Sequence, residues 1–226
     1  AFQDPGYMHA FWYTALFALV SLLAINLFAF TIAYALTQKF KGTNVFRTVF
    51  FLPNLLGGIV LGYIWSMIFD GILIKYNTSV ILETKYGFWG LVILVCWQQI
   101  GYMMIIYIAG LQAVPEDMLE AARIDGCSYF RTYWNVLLPL VKPGLTTLAI
   151  LGMLNTWKDL MWPLINNSQA DKMTLAAGLA MLIGEHTTYY EQVMAGGVIA
   201  VLPLIVLFVI FQRQFVQGIA HSGIKG

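Results

Sequence analysis

The sequence predicts an all-α membrane protein: a polytopic bundle of about five transmembrane helices, N-terminus outside and C-terminus inside. Three observations predict it. Of the 226 residues 60% are hydrophobic and 10% charged, with mean hydropathy +0.75, whereas about a quarter of a water-soluble domain is charged. The apolar residues fall in runs near the ~20 residues that a helix needs to cross about 30 Å of hydrocarbon. Finally, the segments 38–47, 114–142 and 213–226 hold eight of the 12 Lys and Arg residues. They alternate correctly with five spans, and by the positive-inside rule they lie in the cytoplasm.

The first span covers residues 8–36, apolar apart from Asn26 and a few hydroxyls, with Trp12 and Tyr13 as interfacial anchors. Asn26 reads as an interhelix hydrogen-bonding residue. A loop at 38–47 carries Lys39, Lys41 and Arg47 and no acid. The second span, 45–69, contains Pro53, Gly57, Gly58 and Gly62. That many breakers predict a kinked or locally unwound helix, tolerated where protein or a watery cavity satisfies the freed backbone groups. Asn54 is therefore a candidate pathway residue. After a loop of mixed charge at 70–87, the third span, 88–113, places Trp97, Gln98 and Gln99 in mid-membrane. Amides there are expensive in lipid and should face the bundle interior, for packing or for substrate contact.

The fourth span, 144–157, ends early at Asn155-Thr156-Trp157-Lys158-Asp159, and a second aromatic piece follows at 160–165. This predicts a helix that breaks near the outer leaflet, with Asn155, Trp157 and Asp159 as candidate pathway or outer-mouth residues. Residues 166–172 form a polar turn. The apolar piece 173–183 is too short to cross and reads as re-entrant or interfacial. An outer loop at 184–191 leads to the last span, 192–211, with Gly196, Gly197 and Pro203 inside it, and Arg213 and Lys225 flank a short tail.

Between the third and fourth spans lies the most charged stretch, residues 114–142. Pro115 suits the first turn of a helix, and Glu116 and Asp117 face the positive end of its dipole. Good helix formers follow, and Gly126 stands where a left-handed C-cap would end the helix. A second amphipathic piece starts at Tyr129. A short helix held outside the hydrocarbon by flanking spans is built as a docking element.

Other chemistry has little support. A net charge of +1 without a basic tract gives no footing for nucleic acid. Cys96 and Cys127 lack CxxC spacing and fall in different compartments, so no disulfide is expected. His9, His186 and His221 lie at or beyond span edges, which argues against haem ligation, and neither HExxH nor GxSxG occurs. No GxxxxGK[ST] loop is present either, so the chain itself should bind no ATP or Mg cofactor and should not be an enzyme.

The pattern Glu120-Ala121-Ala122, three residues, Gly126, nine residues, Val136, Leu137, Leu138-Pro139 resembles the EAA loop of permease subunits in binding-protein-dependent ABC importers. The family has Ile where Val136 stands. The stretches from Arg47 to Pro53 and from Trp97 to Met104 are similar to sugar-importer permeases of the maltose and multiple-sugar type. The segment from Trp157 to Ile165 and the ending from Gln212 to Gly218 look more like the partner subunit of such pairs. The resemblance implies one permease domain at 8–213 with a cytoplasmic coupling loop at 115–142, in the bacterial cytoplasmic membrane. Coupling falls to Glu120, Ala121, Ala122, Asp125, Gly126, Leu138 and Pro139. The implied partners are two ABC ATPase subunits that carry the ATP and Mg, a second permease subunit, and an extracytoplasmic binding protein that delivers a carbohydrate. A cavity lined by Asn54, Trp97, Gln98, Gln99, Asn155, Trp157 and Asp159 would take it. Because an outside N-terminus without a signal sequence is awkward, a preceding membrane helix is expected in the gene product.

A secondary transporter or channel for a small polar solute is the alternative. Such proteins often place ionisable residues inside the bilayer. None lies mid-span here, which favours an external engine.

Overall fold

The computed structural model describes residues 5–37, 42–79, 84–112, 114–166, 173–183 and 190–223. Every element in them is helical. Helix α1 (Pro5–Thr37) is the first span. The predicted second span is two helices: α2 (Thr43–Phe51) and α3 (Gly58–Leu73), separated by a 3-10 turn at Leu52–Leu55 and an extended step at Leu56 and Gly57. Pro53 is buried at the start of that turn. The unwinding is thus as expected, but the crossing helix begins at Gly58 rather than residue 45. Arg47 belongs to α2, not to a loop.

Helix α4 (Thr84–Gln112) is the third span, and the connection before it is shorter than the predicted 70–87 because α3 runs on to Leu73. Next come α5 (Glu116–Ile124), α6 (Tyr129–Thr132) and a π turn at Tyr133–Leu137. Helix α7 (Leu138–Trp157) starts six residues before the predicted 144. It is followed by α8 (Met161–Asn166), α9 (Leu175–Met181) and α10 (Tyr190–Gly223). The predicted outer loop at 184–191 and the tail after Arg213 are both shortened by α10, which takes in Tyr190, Glu191 and residues 214–223. The polar turn at 167–172 lies outside the described residues.

Among the described residues four helices are long and apolar enough to cross a membrane, and the stretch around α6 to α8, bent by 67° between residues 140 and 144, brings the number to five when it is counted as one broken span. Pro143, without an N–H to donate, stands at that bend. The pieces are antiparallel where the predicted topology requires it. Tyr13 and Phe17 meet Phe88, and Phe30 meets Tyr107, so α1 and α4 run parallel. Phe11 meets Trp157 and Phe30 meets Tyr133, so α7 runs against α1.

The core lies between α1 and α4. Phe17, Ile25, Leu91, Leu94, Met103 and Met104 are fully buried there. Asn26 completes it as an interhelix polar clamp: its amide donates to the Leu22 carbonyl at 2.7 Å, and the Tyr107 hydroxyl donates to its Oδ1. Two glycines let elements approach. A Cβ on Gly101 would lie 1.8 Å from the Phe50 carbonyl oxygen, and one on Gly62 would lie 2.8 Å from Ile165. These contacts seat the broken span on α4 and α8.

Candidate coupling site

Helix α5 ends as its residues dictate. Gly126 takes φ +73°, which side-chain-bearing residues rarely adopt. The Cys127 N–H then reaches back to the Ala122 carbonyl at 2.9 Å, closing a Schellman turn, and Asp125 N–H bonds to Ala121 O at 2.9 Å. The reversed chain restarts at once. Ser128 caps α6, its hydroxyl accepting from Arg131 N–H at 3.3 Å.

Beyond α6 the helix widens into a π turn, with Leu138 N–H bonded to Tyr133 O. Pro139 explains the position. It cannot donate to the carbonyl four residues back, and its ring crowds that carbonyl, so a locally wider turn relieves both problems. The sequence spacing that separates α5 from Val136 becomes spatial proximity here. Val136 of the π turn and Asp117, Met118, Ala121, Ala122, Asp125 and Cys127 line one open cavity of about 370 Å³. Ala122 is buried on its floor, while Glu120, Ala121, Asp125 and Ile124 are exposed. Small side chains at Ala121 and Ala122 are what keep the cavity open.

The site is fastened to the bundle by several contacts, of which sequence reasoning passed over those of Tyr133 and Leu119. Tyr133 meets Phe30 at a tilt, 5.2 Å between ring centroids, and Tyr34 edge-on at 5.1 Å. Leu119, Val114 and Leu137 join the main core. The Arg47 guanidinium donates to Leu36 O at the C-terminal end of α1, where the helix dipole favours a cation. Ser128 had a visible signal, a hydroxyl residue just before an amphipathic run. Tyr133 had none, because one tyrosine among four aromatics does not announce its partner.

The pathway candidates are dispersed. Asn54 is half-buried on the 3-10 turn, which packs on α4. Gln98 and Gln99 are half-buried on α4, and Trp97, 37% exposed, meets Trp65 of α3 edge-on at 5.3 Å. Trp65 was not among the expected residues. Asn155 is exposed and Asp159 half-buried. Trp157 turns elsewhere: it is 5% exposed, and its indole donates to the Ala200 carbonyl of α10 at 3.1 Å.

The described residues form a bundle of helices, several of them of membrane length, with one charged helix-turn-helix at its end, which is the architecture of a polytopic membrane protein. Residues 25–221 match the family of binding-protein-dependent transport system inner membrane components, and the chain belongs to that family. It is 37% identical over 164 residues to the probable starch degradation products transport system permease protein AmyD of Thermoanaerobacterium thermosulfurigenes, covering 69% of this chain and 56% of the relative. It is also 29% identical over 217 residues to AmyC of the same organism, covering 96% and 75%. The arabinooligosaccharides transport system permease protein AraQ of Bacillus subtilis is 37% identical over 113 residues, 50% of this chain and 40% of the relative. The chain thus spans about half the length of several curated relatives it matches. Among solved structures, a bacterial ABC transporter that imports the acidic polysaccharide alginate superposes with TM-score 0.80 at 14% identity, covering 99% of this chain and 82% of that one. The MetNI methionine ABC transporter superposes with TM-score 0.70 at 14% identity, covering 93% and 95%. These two likenesses bear on the fold.

Proposed function

We propose that this chain is the membrane-spanning subunit of an ATP-driven importer in the bacterial cytoplasmic membrane, and that its cargo is a sugar or oligosaccharide. The observation that carries the reading is the open cavity between α5 and the π turn, lined by Ala121, Ala122, Asp125 and Val136. An ATPase subunit seats there. Glu120 and Asp125 offer carboxylates to basic or N–H groups of that subunit, and exposed Ile124 offers apolar surface. Push on α5 reaches α1 through Tyr133 and reaches α7 through the π turn, so the bundle responds as a body. ATP and Mg sit on two such subunits and this chain catalyses nothing. A second permease subunit completes the pathway, and an extracytoplasmic binding protein delivers the cargo to the end where α8 and α9 lie. Carbohydrate is supported by relatives named for starch products and arabinooligosaccharides, and by indole beside amide on α4.

The test is Gly126→Asp in the assembled complex. It is expected to insert normally and to lose co-purification of the ATPase subunits. Uptake by vesicles carrying the wild-type assembly should survive a proton uncoupler and stop when ATP is depleted. The opposite pattern would favour a secondary transporter.

A further inference from the structure

Helix α10 is nearly free of the bundle. Only 6% of its most apolar membrane stretch is buried, and its attachments run to α7 and α9. One of them is polar. Trp157, the last residue of α7, donates its indole N–H to Ala200 O at 3.1 Å. The ring is held on its other side by Phe11, edge-on at 5.7 Å, and it shares a small cluster with Ala18 and Leu175, against which Met153, Ala200 and Leu204 pack. The acceptor's place is telling. Pro203 lies inside α10, and it leaves the Ile199 carbonyl without its usual donor, which makes residues 199–203 the point where α10 bends most easily. The indole grips the carbonyl adjacent to that point.

Helix α7 is also the one that leaves the coupling cavity directly, through Leu138 and Pro139. Beyond the bend at residues 140–144 it runs on to its far end, where Trp157 sits. At 5% exposure the indole is shielded from bulk solvent. We infer that α7 and α10 move as one body when the subunit switches access, with Trp157 as the positioning residue that joins them beside Pro203. The inference rests on the ATP-driven reading for the motion, but the joint itself exists without it. It also reassigns Trp157 from the substrate wall to the frame.

Genetically encoded spin labels at positions 151 and 201, both on exposed side chains, report the distance between the two helices in the purified full assembly. Nucleotide-free and vanadate-trapped states should give superimposable distance distributions in the wild type. Trp157→Phe keeps the ring and removes the donor. Its distribution should broaden in both states, and the weakened joint should lower ATP-coupled uptake by about fivefold, the worth of one hydrogen bond, at unchanged assembly yield. A wild-type distance that shifts on trapping, or a Trp157→Phe distribution identical to wild type, overturns the proposal. If the wild-type assembly traps no nucleotide, the ATP-driven reading is what fails, and the nucleotide-free comparison still decides the joint.

Discussion

A methyl group at Gly101 would run into the Phe50 carbonyl, part of a backbone that cannot swing aside, whereas one at Gly110, on the same helix, would meet nothing within 4 Å. Overpacking costs about 1–3 kcal/mol and occasionally more, and a contact this short against fixed backbone belongs at the upper end. Gly101→Ala is therefore expected to yield little folded protein and Gly110→Ala to behave as wild type, as read by thermal melting in detergent. Gly126 is a third case. It has open space but a left-handed φ, so Gly126→Ala should cost about 1 kcal/mol of local strain and leave the bundle intact. The loss from Gly126→Asp would then be read as lost docking. Asn26→Leu removes the acceptor of the Tyr107 hydroxyl, and a melting shift worth about 0.6 kcal/mol is expected, the mean for polar pairs between membrane helices. Asn26 and Gly126 could be singled out in the sequence. Which glycine tolerates a methyl group could not, because that depends on an element 50 residues away.

At the scale of elements, the π turn at Tyr133–Leu137 has the clearest consequence. With Pro139 replaced by alanine, an N–H returns and the wider turn loses its cause. Pro139→Ala should draw the helix back to regular α geometry and rotate Val136 relative to Ala121. Insertion should be unchanged, and ATPase stimulation by the assembled membrane subunit should fall, which a steady-state ATPase assay on the purified complex measures. The short helix α9 illustrates a different logic. Its 7 residues cannot cross the bilayer, and its register is set by Thr14, whose hydroxyl accepts from Leu175 N–H at 2.7 Å while donating to Ala10 O. Length alone predicted a helix that does not span. That it is buried against α1, with Ala177 fully covered, required the fold.

For the molecule as a whole, the parallel pairing of α1 with α4 and the reversed run of α7 bring the coupling helix to one end and α8 and α9 to the other. We place the α5 end in the cytoplasm. In a Cys96→Ser, Cys127→Ser background, Ile124→Cys, whose side chain is 80% exposed, should react with a membrane-impermeant maleimide only in inside-out vesicles. Lys158→Cys, at the far end of α7, should react only in right-side-out cells. Reaction of both from one side would contradict the arrangement.

What the residue order settled by itself was everything governed by local chemistry and by the solvent. Runs of apolar residues demand helices of membrane length because a bilayer leaves no other way to satisfy the backbone. Pro53 with Gly57 and Gly58 breaks a span, and Gly126 caps a helix, because backbone dihedrals depend on the residue in place. The residues from Glu116 to Gly126 marked a short capped helix in the same way. Only the tertiary structure decided which polar and aromatic groups meet: Tyr133 with Phe30 and Tyr34, Trp65 with Trp97, and Trp157 with Ala200. The reason is that a helix presents all its faces to the sequence equally, and only packing against distant helices determines which face is covered.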